Sequence, residues 1–139
     1  MDRANWRLVG PVHVAETRDK ARANVRFGLS RWVDYMSKVA ALPLGTPPGV
    51  DPVDYMIDTG FAVIGTPDDY IAQVERLAGQ SGGFGCFLHL DTHWADWAET
   101  KRSYELIARY AIPRINRLNI NSQASEHWLR ENNAVFKGE

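Results

Sequence analysis

Residues 61–90, FAVIGTPDDYIAQVERLAGQSGGFGCFLHL, hold one complete strand–helix–strand unit. Two short apolar runs bounded by turn residues predict strands at Phe61–Ile64 and Phe84–Leu90. Between these runs, four apolar side chains recur at helical spacing: Ile71, Val74, Leu77 and Ala78. This change from a strand pattern to a helix pattern and back is typical of an α/β fold.

Both glycine clusters of this stretch have a structural role. Thr66 and Asp69 have the spacing of a capping box, and Pro67 occupies the first helical position. Gly79 and the pair Gly82–Gly83 are expected to end the helix, because glycine accepts the positive φ of a C-terminal cap. A nucleotide-binding loop would need the lysine of a Walker sequence or a Gly-x-Gly-x-x-Gly motif after the strand. Since the stretch has neither, the glycines predict turns and not a phosphate cradle.

The composition is that of an ordinary globular domain. The 139 residues are 45% hydrophobic and 24% charged, with a formal net charge of -1. This charge argues against a nucleic-acid partner, because such proteins carry a basic patch or stripe. No apolar run approaches the roughly 18 residues of a membrane span, and the amino terminus lacks an apolar signal core. We therefore expect one cytoplasmic domain with no membrane partner, in which the single cysteine, Cys86, is a buried small hydrophobe.

Strands and helices alternate along the rest of the chain. The patterns predict a strand at Arg7–Ala15, a long helix from Thr17 to Pro43, a short helix at Val53–Thr59, a helix from Asp96 to Pro113 and a polar terminal helix at Gln123–Phe136. Alternating strands and helices predict parallel strand pairing through right-handed crossovers. Three parallel strands are few for a complete sheet, so we expect the chain to be part of a larger unit.

Four segments carry a family resemblance: DRANWRLVGPVHVAET, AVIGTPDDYIAQVERL, GGFGCFLHLDTHWADWAETKRSYELIARYAIP and ASEHWLRENNAVF. Together they resemble the carboxy-terminal third of bacterial luciferase-like flavin-dependent monooxygenases, and within these the limonene monooxygenase-like enzymes. The third segment is the most specific, since spacing and residue types agree over its whole length.

The resemblance implies a partial (β/α)8 TIM barrel. Residues 1–116 would supply the last three βα units, and residues 117–139 a carboxy-terminal helical extension. In this family a flavin reductase supplies reduced flavin, FMN or FAD, and one oxygen atom of O2 passes to a small apolar organic substrate. The first five strands of such a barrel have no counterpart here, so no catalytic residue is carried over. The chain alone is expected to be inactive and to bind no flavin.

In a barrel the active site lies at the carboxyl ends of the strands. Alternation along Phe84–Leu90 predicts that Cys86, Leu88 and Leu90 face packed helices. Phe87, His89 and Asp91 would then point inward, and the same argument places His13 inside the first strand. This makes His89 and Asp91 candidate cofactor ligands and His13 a candidate substrate contact. The alternative is that His89 and Asp91 hydrogen-bond each other or a neighbouring loop.

Three further features of this region have both a functional and a structural interpretation. His89, Asp91 and His93 alternate, but their spacing matches no zinc signature, and we predict no metal. Trp94 could form a wall or lid for an apolar substrate, or could simply pack at the start of a helix. Thr66 and the N–H groups after it could hold an anion of the cofactor, although helix capping also explains this threonine.

Two classes of function remain open. The first is the carboxy-terminal part of a flavin-dependent monooxygenase. The second is a non-catalytic half-barrel module that self-associates or pairs with a separate amino-terminal polypeptide, because a three-stranded fragment leaves strand edges and a sheet face uncovered. A truncated reading frame without a role of its own is a third interpretation.

Overall fold

The computed structural model describes residues 2–41, 45–117 and 120–132. Its strands are β1 (Arg7–Val14), β2 (Val63–Gly65) and β3 (Cys86–Leu90). Its helices are α1 (Arg18–Val25), α2 (Leu29–Lys38), α3 (Pro52–Asp58), α4 (Pro67–Ser81), α5 (Trp97–Leu106), α6 (Ile112–Ile115) and α7 (Ile120–Glu131). A 3₁₀ turn at Arg3–Asn5 precedes β1, and a π-helical segment at Ile107–Ala111 joins α5 to α6. The alternation of elements predicted for an α/β chain is therefore confirmed.

The three strands form one parallel sheet with β1 in the centre. Val12, His13 and Val14 of β1 pair with β2, and Arg7 to Pro11 pair with β3. Parallel pairing was predicted and is confirmed. The strand order is β2-β1-β3, so β3 pairs with the first strand and not with β2. A closed barrel instead places consecutive strands side by side.

This strand order places helices on both faces of the sheet. The chain moves one way from β1 to β2 and the opposite way from β2 to β3, so two right-handed crossovers cover opposite faces. The packing agrees, because neighbouring residues of β2 enter different cores. Ile64 packs with α1, α2 and α3 in one core, which we call the α1–α3 core. Val63 packs with α4, α5 and the π-helical segment in the other, the α4–α5 core. A partial barrel would carry its helices on one side of the sheet only, and this part of the predicted fold is wrong.

The helix α4 begins and ends as its sequence predicts. The Thr66 hydroxyl accepts from the Asp69 N–H, and the Asp69 carboxylate accepts from the Thr66 N–H at 2.9 Å, which completes the capping box. Gly82 ends the helix with φ of 73°. Such a positive φ is accessible to glycine at little cost. Gly79 lies inside the helix and does not end it.

The long helix predicted from Thr17 is broken into α1 and α2 at Gly28. The Gly28 N–H donates to the Trp94 carbonyl at 2.9 Å, which brings the two backbones into contact. A Cβ added at Gly28 would lie 2.2 Å from the carbonyl oxygen of His93. The periodicity of the apolar residues continues through the break, so the sequence pattern alone did not reveal it. The second helix ends at Lys38, before the predicted end at Pro43, which itself lies outside the described residues.

Pro113 shifts the helix register instead of ending the helix at once. Proline has no N–H and its ring crowds the carbonyl four residues earlier. The chain responds with the π-helical segment Ile107–Ala111 and then continues as α6. The terminal helix begins at Ile120, earlier than predicted, and its predicted anchor Phe136 lies outside the described residues. None of the helices within the described ranges has the length and apolar character needed to cross a membrane.

One part of the sheet surface has no helix over it. Because paired residues of parallel strands share a face, Val9, Leu88 and Leu90 lie on the same face. Their exposed fractions are 60%, 45% and 37%. We call these three residues the open face. The prediction that Leu88 and Leu90 face packed helices is wrong, since the helix-covered side carries Phe87 and His89.

We expect Gly28→Ala to destabilise the protein by about 1–3 kcal/mol, because the new Cβ overlaps the His93 carbonyl oxygen. Gly79→Ala is the matched control. A Cβ at Gly79 meets no atom within 4 Å, and alanine favours a helix interior by about 0.5–1 kcal/mol. Urea unfolding of both variants measures the two changes. Equal stability of Gly28→Ala and the wild type would contradict the proposed close approach.

Candidate functional site

The carboxyl ends of β1 and β3 meet where the chain reverses its direction across the sheet. In open α/β sheets such a switch point forms a crevice in which ligands bind. Here the crevice is lined by the ends of both strands, by the loop 91–95 and by α5, and its lining includes His13, Asp91 and Trp94. Its internal volume is about 10 Å³. This is room for about one water molecule.

Among the ionisable residues that line the crevice, His13 is the most buried. Its exposed fraction is 4%. Its Nε2 lies 3.1 Å from the Asn24 amide nitrogen, which also donates to Glu99 at 2.9 Å. Lys20 in turn lies 3.3 Å from the same Glu99 carboxylate. Because the Asn24 amide nitrogen is a donor only, His13 Nε2 accepts and carries no proton. The arrangement holds a neutral imidazole.

The charge state of His13 follows from its burial. Burial lowers the pKa of His13, while the carboxylates of Glu99 and Asp96 act in the opposite direction and Lys20 adds to the lowering. The net direction is downward because loss of water around the imidazolium outweighs the two acidic neighbours. The Nε2 lone pair already accepts from Asn24, so the neutral imidazole carries its proton on Nδ1.

His89 lies on the opposite face of the sheet from His13. In the β1–β3 register His89 is paired with Gly10, and side chains alternate between faces along a strand. Its Nε2 lies 2.8 Å from the Tyr70 hydroxyl oxygen. Its ring stacks on the Tyr104 ring, with the ring centroids 6.0 Å apart. Burial lowers the pKa of His89 and raises the pKa of Tyr70. The prediction that His13 and His89 point to one interior is therefore wrong.

Asp91 lies at the mouth of the crevice, as predicted, and is exposed. Its partner is not His89 but the next loop, where the His93 N–H lies 3.5 Å from Asp91 Oδ1. Of the two structural alternatives, the loop contact is the one observed. Within the described residues, no three His, Cys, Asp or Glu side chains come together as metal ligands would.

Trp94 is part of the α1–α3 core and not a mobile wall. It is 1% exposed and meets Trp32 edge-on, with ring centroids 5.3 Å apart. Its environment in this structure therefore fits the interpretation that Trp94 simply packs near the start of a helix. Trp97, at the first position of α5, is 79% exposed.

The amino terminus of α4 already carries an internal anion. The Asp69 carboxylate accepts from the Thr66 N–H and hydroxyl, and Arg18 holds both Asp69 oxygens at 3.0 and 2.6 Å. The hydrogen bond from Arg18 lowers the pKa of Asp69 to about 2. A phosphate at Thr66 would have to displace this carboxylate. Capping therefore accounts for Thr66 in this chain.

Sequence analysis missed the residues that hold His13. Asn24 lies in the last turn of α1 and belongs to no motif, and Glu99 lies in the first turn of α5, three residues after its N-cap Asp96. Ser103 was also missed: its hydroxyl accepts from the Val14 N–H at 2.8 Å, where β3 has already ended. These contacts join residues 11 to 89 positions apart. No pattern of neighbouring residues in the sequence predicts these contacts.

The crevice at the strand ends does not have the size of a cofactor pocket. Cofactor pockets typically measure about 300–1,000 Å³ and surround most of the ligand, whereas the crevice at the strand ends measures about 10 Å³. The candidate residues are also dispersed. His13, Asp91 and Trp94 line the crevice, His89 is bonded to Tyr70 beyond the sheet, and Thr66 is occupied by Asp69.

Comparison with known proteins identifies the chain as related to monooxygenases. Limonene 1,2-monooxygenase of Rhodococcus erythropolis is 45% identical over 117 residues, which are 84% of this chain and 30% of that protein. 4-Hydroxyprotoasukamycin monooxygenase of Streptomyces nodosus subsp. asukaensis is 36% identical over 137 residues, 94% of this chain and 36% of that protein. The chain is a homologue of these enzymes. It spans about a third of their length, and no protein-family model matches it.

A solved structure has a similar fold. It is a type II Baeyer-Villiger monooxygenase, the oxygenating constituent of 3,6-diketocamphane monooxygenase from the CAM plasmid of Pseudomonas putida, in complex with FMN. The TM-score is 0.60 at 23% identity, and the match covers 83% of this chain and 35% of that chain. The predicted resemblance to luciferase-like flavin-dependent monooxygenases is confirmed, and the α/β fold matches part of a barrel of this type.

We expect the free energy of unfolding to fall as the pH decreases from 7 to 5. Burial lowers the pKa of His13 and His89 below the usual 6.5. The unfolded chain therefore binds protons in a range where the folded chain does not, and acid favours unfolding. Asp69, whose folded pKa is about 2, loses its stabilising effect only at lower pH.

His13→Gln tests how much of this pH dependence of the free energy of unfolding comes from His13. The glutamine oxygen can still accept from Asn24 but does not titrate, so stability should depend less steeply on pH between 7 and 5. His93→Asn is the control, because the His93 side chain is 88% exposed and asparagine tolerates its φ of 50°. Chemical unfolding at several pH values measures the slope. An unchanged slope in His13→Gln would show that His13 is not held neutral.

Proposed function

We propose that this chain is the carboxy-terminal portion of a luciferase-like, flavin-dependent monooxygenase. The whole enzyme would insert one oxygen atom of O2 into a small apolar organic substrate with reduced flavin, FMN or FAD, supplied by a flavin reductase. The observation that carries the proposal is the 45% identity to a limonene 1,2-monooxygenase over 84% of this chain. The structural neighbour in complex with FMN supports a flavin as the cofactor.

In this proposal the chain contributes part of a barrel wall, in which β2 and β3 would have to become neighbours, since β1 separates them in this structure. Residues 1–116 would form the barrel portion and residues 117–139 the helical extension. His13, Asp91 and Trp94, which line the crevice, are the proposed contacts to substrate and cofactor. His89 and Thr66 stay predicted cofactor contacts, and either would have to leave its present partner, Tyr70 or Asp69, to reach a ligand.

The chain alone would not catalyse the reaction. Oxygen transfer requires that water be excluded from the reacting centre. A crevice of about 10 Å³ at the strand ends encloses neither a flavin nor a substrate. The segments that complete the pocket would come from the two thirds of the homologues that this chain does not span.

We expect the isolated chain to show no saturable flavin binding and no oxygenation of limonene with reduced flavin and O2. The chain fused behind the uncovered segment of limonene 1,2-monooxygenase should bind flavin and oxygenate limonene. Flavin fluorescence titration and product analysis measure the two steps, with the uncovered segment alone as control. Saturable flavin binding at one site per isolated chain would contradict the inactive-fragment proposal. A folded fusion without activity would contradict the assignment to this enzyme class.

A second candidate is a non-catalytic module that self-associates. The open face favours it, because three apolar side chains on adjacent strands are 37% to 60% exposed. The outer edge of β3 also carries backbone groups without a strand partner among the described residues. Such edges pair readily with other chains.

If the open face mediates association, Leu88→Lys should shift the protein from an oligomer to a monomer. A charge at this position would lose its water in the contact without gaining a partner. Val39→Lys is the control, since Val39 is 67% exposed but follows α2 and is not one of the three open-face residues. Light scattering across a wide concentration range measures the mass. A wild-type monomer at every concentration would exclude the self-associating module.

A further inference from the structure

A cavity of about 500 Å³ lies between α4, the beginning of β3 and α6. It is separate from the crevice of His13, which lies at the carboxyl ends of the strands. This space is a pocket open to solvent on one side and not an enclosed void. It falls within the range of about 300–1,000 Å³ that is typical of small-molecule sites.

Apolar side chains from three elements form the walls. Tyr70, Val74 and Ala78 follow one another on α4 at intervals of four residues, which aligns them on one face over about 12 Å. Phe84 and Phe87 supply the opposite wall, with ring centroids 6.5 Å apart. The Phe87 ring also lies 6.1 Å from the Tyr70 ring. Since the Tyr70 hydroxyl is bonded to His89, Tyr70 offers its ring to the cavity.

No lining residue carries a formal charge. The lining is Tyr70, Val74, Ala78, Gly83, Phe84, Gly85, Cys86, Phe87, Ile112, Ile115 and Asn116. A charged ligand would lose its water there without meeting an opposite charge. Among the lining side chains, the polar atoms not already used are those of the Asn116 amide. These suit at most one or two polar atoms of a ligand.

We propose that this cavity is a binding site for a neutral, mainly apolar ring compound. The three aromatic rings favour an aromatic or unsaturated ligand, because such rings pack well in offset or edge-on arrangements. The uncharged lining selects neutral over anionic molecules of the same shape. This site is independent of the proposed oxygenation and lies outside the candidate active site.

Two dyes with the same ring skeleton test the proposal. N-phenyl-1-naphthylamine is neutral, whereas 8-anilino-1-naphthalenesulfonate carries a sulfonate on the same two linked aromatic groups. The neutral dye should bind the full chain with one-to-one stoichiometry, and at least tenfold more tightly than the sulfonate, as followed by fluorescence. Equal affinity for the two dyes, or no binding of the neutral one, would overturn the proposal.

A thiol on the cavity wall reports where the neutral dye binds. The Cys86 side chain alternates with that of Phe87, so a thiol on the α4 wall is the better reporter: Ala78→Cys in a Cys86→Ser background. Saturating neutral dye should slow the reaction of this thiol with a thiol reagent several-fold. An unchanged labelling rate at saturation would place the dye elsewhere and overturn the assignment.

A pair of variants separates the cavity from the open face. Ala78→Trp fills the cavity and should weaken binding of the neutral dye at least tenfold. Leu88→Lys changes the open face and should leave the affinity within twofold of the wild type. Circular dichroism checks that both variants are folded, and the labelling result stands without either. Binding that survives Ala78→Trp in a folded protein, or is lost in Leu88→Lys, would overturn the proposal.

Discussion

The backbone hydrogen bonding of β1 on both of its edges organises the whole structure. Val12 to Val14 pair with β2 on one side, and Arg7 to Pro11 pair with β3 on the other. A strand with partners on both edges must be central, so the two crossovers run in opposite directions and cover opposite faces. The two cores follow from this pairing. Ala15 enters one of them and its neighbour Val14 the other.

The same constraint separates the polar residues. Side chains alternate between faces along a strand, so His13 and His89 on adjacent strands are directed to different environments by the register alone. His13 joins Asn24 and Glu99 from helices, whereas His89 joins Tyr70 and Tyr104. His13 is buried and His89 half-buried, and each has a lowered pKa because of partial or full loss of water around the ring. Two separate polar clusters result, where one interior was predicted.

Uneven coverage of the sheet accounts for the remaining surfaces. On the α1–α3 side, helices cover β1 only from Pro11 onward, which leaves Val9 and Leu88 in contact with solvent. On the α4–α5 side, α4 and α6 stand apart from the start of β3 and leave the cavity behind Phe84 and Phe87. The homologues are about three times as long as the match with this chain. The open face and the cavity are the two surfaces that we propose as contact sites for other molecules.

Local signals in the sequence determined the type and order of the elements. The Thr66–Asp69 capping box, the Gly82 cap and the three strand runs are set by contacts within a few residues, and each was predicted to within a few positions. The resemblance to monooxygenases also rests on the residue string alone. Tertiary structure decided the strand order, the break at Gly28 and the neighbours of His13. These depend on backbones and side chains far apart in the chain, such as Gly28 against Trp94 and Val14 against Ser103. Periodicity records which side of an element is apolar, but not which distant element packs against it.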